Sequence, residues 1–442
     1  MLIDATHTRQ EKIRLIEARE ARVGIIGMGY VGLPAAVTFA ERGFPVTGFD
    51  IATDKVERIN RSDSYIEDIP SPRLAGVVTN GRFNATSNFT LLQDQDVIII
   101  AVPTPLNKTR EPDLAAIRGA SRAISQNLRP GQLVILESTT YPGTTDEVVK
   151  PILEESGLIA GEDFFLAFSP ERIDPSSKNW HFDNVPKVVG GFSPDCLAVA
   201  SALYSQVVAR TVPVSSTRAA EMTKLFENIF RVVNMALVNE TALLCDRMKL
   251  NFWEVLDAAE TKPYGFMKFT PGPGVGGHCI PVDPFYLTWK AREFDFNTRF
   301  IELAGEINLQ MPHFVRELVI RALNSQGKAL KDAKVLLLGV AYKKDVGDLR
   351  ESPAIKIVEL LQQSGVNLSY HDPHVPVFKE DHLTLHSVEL SEDTLQQADC
   401  VVIITDHSSF DYDYIVSNAK LVVDTRNATV KVKQQREKIV LL

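Results

Sequence analysis

Residues 271–287, PGPGVGGHCIPVDPFYL, hold the side chains best suited to covalent chemistry. The first seven positions are almost all glycine and proline, a density that neither a helix nor a central strand tolerates. Gly272, Gly274, Gly276 and Gly277 let the backbone take positive φ or approach another group closely. His278 and Cys279 follow directly, and Asp283 lies just beyond. A thiol behind a glycine-rich loop, with a carboxylate close by, is what nucleophilic catalysis by cysteine needs. The alternative is a buried cysteine serving as a small hydrophobe in a corner-turning loop. The irregularity of the loop and a cofactor site elsewhere in the chain favour chemistry.

That cofactor site opens at residues 22–26 (RVGII), a short apolar run expected to be a buried strand. It leads into Gly27-Met28-Gly29-Tyr30-Val31-Gly32, an expected helix over 33–41 closed by Gly43, and a second strand over 45–49 that ends at Asp50. A GxGxxG between strand and helix, with an acid at the end of the next strand, is a dinucleotide-binding fingerprint. Gly27 makes the tight turn, Gly29 admits a pyrophosphate to the backbone, and Gly32 lets the helix pack on the sheet. The helix N-terminus then faces the phosphates. Asp50 would accept from the adenosine ribose hydroxyls and repel a 2′-phosphate, so NAD is expected rather than NADP.

Further apolar strands are expected over 96–102, 133–137 and 164–169. Ligands of parallel sheets bind at the carboxyl ends of strands, which makes Thr104 and Thr139 candidates for the nicotinamide side. Either threonine alone could equally be a helix cap, and Thr144, ahead of Asp146 and Glu147, reads as one. Glu171 and Arg172 follow the third of these strands, as an exposed ion pair or as a functional pair on the same sheet edge.

The pattern then turns helical. Residues 218–250 contain no glycine or proline and read as one long helix. Lys224, Asn228 and Arg231 stand at i, i+4 and i+7 on one face, suited to an anionic or polyhydroxyl substrate. Phe226, Ile229, Phe230, Val232 and Val233 on the flanking faces suggest burial against a partner. Two more helices are expected over 251–259 and 300–325. A second α/β half begins with a strand over 334–340, followed by a loop bearing Lys343, Lys344 and Arg350 that suits a nucleotide diphosphate. Ser352-Pro353 starts a helix, and strands over 367–370, 400–405 and 421–424 complete a parallel sheet without a second GxGxxG. The expected fold is α/β, with two Rossmann-like parallel-sheet domains joined by a central helical domain with a long helix. The boundaries are a solvated helical extension over 1–20, an NAD-binding domain over 21–215, a central helical domain over 216–325 that would dimerise, and over 326–442 an α/β domain suited to a nucleotide diphosphate.

Composition excludes other classes. A net charge of -9 without a basic stripe argues against nucleic-acid binding. Cys196, Cys245, Cys279 and Cys400 lack the spacing of a zinc site or a disulfide framework, which points to a reducing cytoplasm. No apolar run approaches the roughly 20 residues of a membrane span, and the charged N-terminus is not a signal peptide.

The motifs VGIIGMGYVGLP, VPTPL, ESTTYPGTT, SPERIDP, EMTKLFEN, PGPGVGGHCIPVDPFYL and AYKKDVGDLRESPA together resemble the UDP-glucose and GDP-mannose dehydrogenase family over nearly the whole chain. PGPGVGGHCIPVDP and SPERIDP look most like its UDP-N-acetylglucosamine 6-dehydrogenase branch, which supplies surface polysaccharides. The resemblance implies two hydride transfers from C6 of a UDP-sugar to NAD, with Cys279 as nucleophile, Lys224 and Asn228 stabilising oxyanions, Asp283 orienting lysine and water, and Glu171 and Thr139 placing water. It implies NAD contacts at Tyr30, Val31, Asp50, Thr104, Thr139 and Arg350. It implies substrate contacts at Arg172, Ile173, Lys224, Asn228, Arg231, Gly276, Tyr342, Lys343 and Arg426, and a homodimer or larger homo-oligomer through the central helices. Where many members carry His-Pro-Arg before the glycine loop, this chain has Lys262-Pro263-Tyr264, and Lys268 is the candidate replacement for the guanidinium. A two-electron β-hydroxyacid dehydrogenase would need neither Cys279 nor the second α/β half. A non-catalytic nucleotide-sugar sensor would not need Cys279, Lys224 and Asp283 together.

Replacing the thiol tests the covalent reading. Cys279→Ser is expected to abolish steady-state NADH formation while NAD still binds, as followed by fluorescence titration; normal turnover in the variant would exclude a thioester.

Overall fold

A computed structural model describes residues 5–66, 68–107, 111–173, 179–277, 283–380 and 383–442. The chain forms two compact units, Met1–Glu227 with Phe285–Asp295, and Asn228–Pro284 with Phe296–Leu442.

The first unit is built on one sheet. Its strands are β1 (Val23–Ile26), β2 (Val46–Phe49), β3 (Phe83–Thr86), β4 (Val97–Ile100), β5 (Leu133–Leu136), β6 (Phe165–Phe168), β7 (Lys187–Gly191) and β8 (Thr211–Val214), in the order β3-β2-β1-β4-β5-β6-β7-β8. β1, β4, β5 and β6 read VGII, VIII, LVIL and FLAF and are buried at every position. Unbroken apolar runs of this kind belong to parallel sheets covered on both faces. Neighbours run parallel throughout except β6 and β7, which are antiparallel. The three strands that periodicity did not announce have physical reasons to be quiet. β3 (FNAT) alternates at one edge, β7 (KVVGG) ends in glycines, and β8 (TVPV) places Pro213 on the other edge, where its missing N–H costs least.

The helix at the N-terminus corrects an expectation. The helix Ala5–Glu17 is anchored along one side instead of being solvated all round. Ile16 is fully buried in the core of this unit, and Lys12 is buried with its ammonium 2.9 Å from Asp96 Oδ1. Arg9 reaches Asp195 at 2.6 Å. Burial lowers the Lys12 ammonium from its ordinary range, with Asp96 opposing the shift. Average polarity concealed this, because one fully buried isoleucine and a paired lysine suffice to anchor a short amphipathic helix.

In the second unit β9 (Lys334–Leu338), β10 (Asn367–His371), β13 (Cys400–Ile403), β14 (Val422–Asp424) and β15 (Ile439–Leu441) form a parallel sheet in the order β10-β9-β13-β14-β15. A hairpin of β11 (Val377–Glu380) and β12 (Leu383–His386) stands apart. Neither the hairpin nor the three-residue edge strand β15 was foreseen. Ser352 caps the helix Pro353–Gln363 by accepting the Ala354 N–H, as the Ser-Pro pair led one to expect. The long helix runs Thr217–Met248, and Asn251 caps the next, Phe252–Glu260. Trp253 Nε1 donates to the carbonyl of Leu442 at 2.8 Å, fastening the chain end.

Ile16→Ala is expected to cost about 2–5 kcal/mol, the usual range for emptying a core position. Urea unfolding would show this as a lower midpoint, whereas a solvated helix would leave the midpoint unchanged.

Candidate active site

The cofactor half lies at the carboxyl ends of β1, β2, β4 and β5. Gly27 has φ 96°, and a Cβ there would sit 2.5 Å from the carbonyl oxygen of Ala101. A Cβ on Gly32 would lie 1.8 Å from the Gly27 oxygen, so the helix Gly32–Glu41 can start here only without a side chain. Gly29 faces open space, which is what a phosphate needs to reach a backbone N–H. Asp50 accepts the N–H groups of Met28 at 2.8 Å and Ala52 at 2.9 Å, and Lys55 stands 3.9 Å away. Tyr30 is exposed on the glycine turn, and Val31 begins the helix. Across the crevice Thr104 is buried, with its carbonyl accepting from Tyr286 Oη at 2.6 Å. Ser138 Oγ donates to the carbonyl of Val102 at 2.8 Å, tying the ends of β4 and β5 next to the partly exposed Thr139. Residues of this kind fit a dinucleotide: a bare glycine turn at a helix N-terminus and an acid at the end of β2.

Beyond β5 and β6 the structure brings together groups that the motifs did not. Glu171 and Arg172 are not an exposed pair, contrary to one expectation. Arg172 forks onto Glu227 at 2.6 and 3.2 Å and donates to the carbonyl of Pro186. Glu171 is buried and accepts the N–H of Ile173. Beside it Lys187 places its ammonium 3.0 Å from Glu137 and 4.0 Å from Glu171. Tyr204 donates to Glu137, and the same ammonium lies over the rings of Phe182 and Tyr204. Complete burial pushes the Glu137 carboxyl up, against the pull of Lys187. Glu137 could have been suspected as an acid closing an apolar strand, and Lys187 as a cation opening one.

Lys224 is buried on the long helix. One turn earlier Glu221, also inside the EMTKLFEN motif, is fully buried and accepts from Gly143 and Thr145. Thr144 is not the helix cap its sequence suggested. Its hydroxyl donates back to Tyr141 O at 2.9 Å, since Glu221 already occupies the N–H groups a cap would serve.

In the second unit Asn228 Nδ2 donates to Asp283, both side chains being buried, while Arg231 is exposed. His278 and Cys279 lie outside the described residues. Up to Gly277 the glycine loop is fastened to the loop after β9. A Cβ on Gly276 would be 2.8 Å from Tyr342 Cβ and 2.9 Å from the Glu351 oxygen, and the Gly277 N–H donates to Arg350 O at 3.1 Å. Gly272 donates to Asn239 Oδ1 at 3.0 Å and leaves room for the Arg426 guanidinium, which anchors on Ile404 O. Lys343 is half-buried on the same loop, and Arg350 is exposed and forked onto Asp348. Lys268, the candidate replacement for the guanidinium, has its ammonium held by Asp257 at 2.7 Å and Glu260 at 2.6 Å.

This sheet repeats the device of the first. Gly339, at the end of β9, has φ 75°, and a Cβ there would meet Thr405 O at 2.4 Å. Asp372, just after β10, accepts Val340 N–H at 2.7 Å and His374 N–H at 2.8 Å, as Asp50 accepts Met28 and Ala52. Here the acid also holds His407 Nε2 at 3.0 Å, and His407 Nδ1 accepts the N–H of Asp345 at 2.9 Å. Burial alone would raise Asp372, but these hydrogen bonds hold it below the ordinary carboxylate range. With both ring nitrogens engaged, the Asp345, His374 and His407 cluster fastens three loops together.

A glycine turn and strand-end acid for a dinucleotide, together with a second sheet bearing the same device and basic loops, define a nucleotide-dependent oxidoreductase. Family models agree in all three parts: the NAD-binding domain of the UDP-glucose/GDP-mannose dehydrogenase family matches residues 21–208, its central domain 218–310 and its UDP-binding domain 336–431. Protein CapL of Staphylococcus aureus is 37% identical over 412 residues, covering 91% of this chain and 95% of that protein. The UDP-N-acetyl-D-glucosamine 6-dehydrogenase of Pseudomonas aeruginosa is 36% identical over 359 residues, covering 81% of this chain and 84% of the relative. The solved UDP-N-acetyl-D-mannosamine dehydrogenase of Pyrococcus horikoshii superposes with a TM-score of 0.86 at 34% identity, covering 95% of this chain and 98% of the other. The chain belongs to the UDP-glucose/GDP-mannose dehydrogenase family and is an NAD-dependent oxidoreductase. Among the described residues no helix is long and apolar enough to cross a membrane.

Asp50→Ala is expected to weaken NAD binding far more than UDP-sugar binding in calorimetric titrations of each ligand. Equal weakening of both would show that Asp50 serves the fold of the turn rather than the ribose.

Proposed function

We propose that the protein oxidises C6 of UDP-N-acetyl-D-glucosamine to the uronate, removing four electrons in two steps. Bound NAD supplies the chemistry of hydride acceptance, with one NAD+ reduced in each step. In the first step the C6 alcohol loses a proton and a hydride and becomes an aldehyde, with Lys224 assisting deprotonation and stabilising the oxyanion. The Cys279 thiol adds to that aldehyde to give a thiohemiacetal, which keeps the intermediate bound while the cofactor is exchanged. Loss of a second hydride and a proton leaves a thioester. Water placed by Glu171 and Thr139 hydrolyses it, releasing the carboxylate and regenerating the thiol.

The observation that carries this reading is the buried hydrogen bond from Asn228 to Asp283, which joins an amide on the long helix to the residue that closes the cysteine loop. Arg172, Ile173, Arg231, Gly276, Tyr342, Lys343 and Arg426 are assigned to the substrate, and Tyr30, Val31, Thr104 and Arg350 to the cofactor. The glucosamine epimer is supported by the SPERIDP and PGPGVGGHCIPVDP motifs and by the Pseudomonas relative. The mannosamine epimer is the second reading, supported by the name of the Pyrococcus structure. We assign the protein to the reducing cytoplasm, where Cys279 stays a thiol and the product feeds surface polysaccharide. Phe226, Phe230, Leu237 and Leu244 remain exposed along one helix, and we place a homodimer contact there. The division into cofactor (21–215), central (216–325) and UDP-sugar (326–442) domains is kept, with residues 1–20 counted into the first.

The test is NADH formed per sugar consumed by purified protein. We expect two per UDP-N-acetylglucosamine and little from UDP-glucose. Two from the mannosamine epimer alone would move the substrate and keep the mechanism, while one from every sugar would replace it with a two-electron reaction.

A further inference from the structure

Glu221 is the one fully buried acid of the long helix, and the proposed mechanism gives it no task. Its two oxygens take three donors. Oε2 accepts the Gly143 N–H at 2.6 Å, and Oε1 accepts the Thr145 N–H at 2.8 Å and the Thr145 hydroxyl at 2.7 Å. Those donors open the helical segment beginning at Thr145, whose own Thr144 provides no side-chain cap. A carboxylate from another helix thus satisfies N–H groups that a local cap would normally serve. The segment it grips begins six residues after Thr139 and is the next element after β5. On its own helix Glu221 stands three residues before Lys224, on the same buried side.

The neighbouring charges are committed elsewhere. Asp146 is held by the Thr217 hydroxyl at 2.7 Å and Arg218 at 3.0 Å. Glu147 is held by Arg218 at 3.2 Å and Lys290 at 2.6 Å. Among the described residues no cation forms an ion pair with Glu221; Arg218 acts on it through space, and its direct partners are hydrogen-bond donors at the start of a helix. Gly143, at φ 106°, holds a backbone conformation that residues with a side chain rarely adopt. The contact is therefore built from both sides, by a glycine that lets the loop come in and an acid that receives its N–H.

We propose that Glu221 is a positioning residue that locks the 138–145 loop to the turn of the long helix bearing Lys224, so that this carboxylate sets the placement of Thr139 relative to the lysine. The role rests on the dehydrogenase reading above, but the lock itself does not. Burial, which outweighs the three hydrogen bonds, pushes the Glu221 carboxyl up to about 7, with Asp146 adding to the rise. A carboxyl raised in the folded state binds its proton more tightly folded than unfolded. Its contribution to stability is therefore largest at acid pH and falls as pH rises from 4.5, its ordinary value, to about 7. The lock behaves in the opposite sense where the loop opens with Glu221 still buried: its three hydrogen bonds favour the charged form, and once the carboxyl is protonated only the Thr145 hydroxyl can turn to accept from it.

Hydrogen exchange, read by mass spectrometry on peptides spanning 138–150 of the full-length protein, separates the lock from the reaction. With intrinsic rates divided out, wild-type exchange in this segment is expected to rise as pH falls through about 7. In Glu221→Gln it is expected to be about tenfold faster and independent of pH, and in Glu221→Asp intermediate. With thermal unfolding little changed, kcat in Glu221→Gln is expected to fall about tenfold or more while KM for the sugar stays put, because misplacement of reacting groups is felt in the transition state. Aspartate should restore part of kcat. Unchanged exchange in the Gln variant would overturn the lock. Faster exchange with normal kcat would overturn the positioning role, and faster exchange in a protein that oxidises no sugar would locate the failure in the reaction rather than the lock. Should Gln fail to fold, the Asp variant alone decides, by the same two readouts.

Discussion

The hydrogen bond on which both sheets turn runs from the residue after a glycine to an acid at the end of the neighbouring strand. In the first unit it is Met28 N–H to Asp50, and in the second Val340 N–H to Asp372. The geometry leaves little choice. The glycine must bring its backbone against the loop after the next strand, at Ala101 in one case and Thr405 in the other, where no side chain fits. The chain then leaves the sheet with an N–H that no strand partner can accept, and a buried N–H without a partner is costly. The carboxylate takes it, and the acid is thereby held at the mouth of the crevice where ligands of such sheets bind.

The two copies then diverge in what the acid has left to offer. Asp50 receives two backbone N–H groups, and both its oxygens keep acceptor capacity toward the crevice. Asp372 receives the N–H groups of Val340, Ala341, His374 and Val375 and is also paired with His407. An acid so fully engaged has little acceptor capacity left. His407 converts it into a post for the loops after β9, β10 and β13. The same local device therefore leaves an acid open in one half and spends it on scaffold in the other, which is why the second half carries the turn without the fingerprint.

This bears on how much could be read from sequence. The glycine fingerprint, the strand-end acid, the long helix and the Ser352 cap were all legible, because each shows as a local pattern of residue types: spaced glycines after an apolar run, an acid closing the next run, a stretch without glycine or proline, and a Ser-Pro pair. The sites that escaped notice rest on contacts far apart in the chain. Nothing near Lys187 predicts that it will be sealed between Glu137 and Glu171, and nothing near Glu221 predicts Gly143. The N-terminal helix misled for a related reason. Its polarity is real, but Lys12 meets Asp96 and Ile16 enters a core built from strands that follow it. Edge strands β3, β8 and β15 escaped because an edge asks less of its residues than a centre does.

The buried charges at the strand ends are best understood through what they hold in place. Taking Glu137 and Lys187 out of water costs several kcal/mol per ion, which their attraction offsets only with good geometry and further hydrogen bonds. A core of apolar residues would stabilise the sheet at least as well. What an apolar core could not do is direct Glu171. The ammonium of Lys187, fixed between two aromatic rings and bonded to Glu137, stands 4.0 Å from the Glu171 carboxylate. A flexible acid just past the end of β6 is thereby restrained by a fixed charge. The Tyr204 hydroxyl closes the cluster by donating to Glu137.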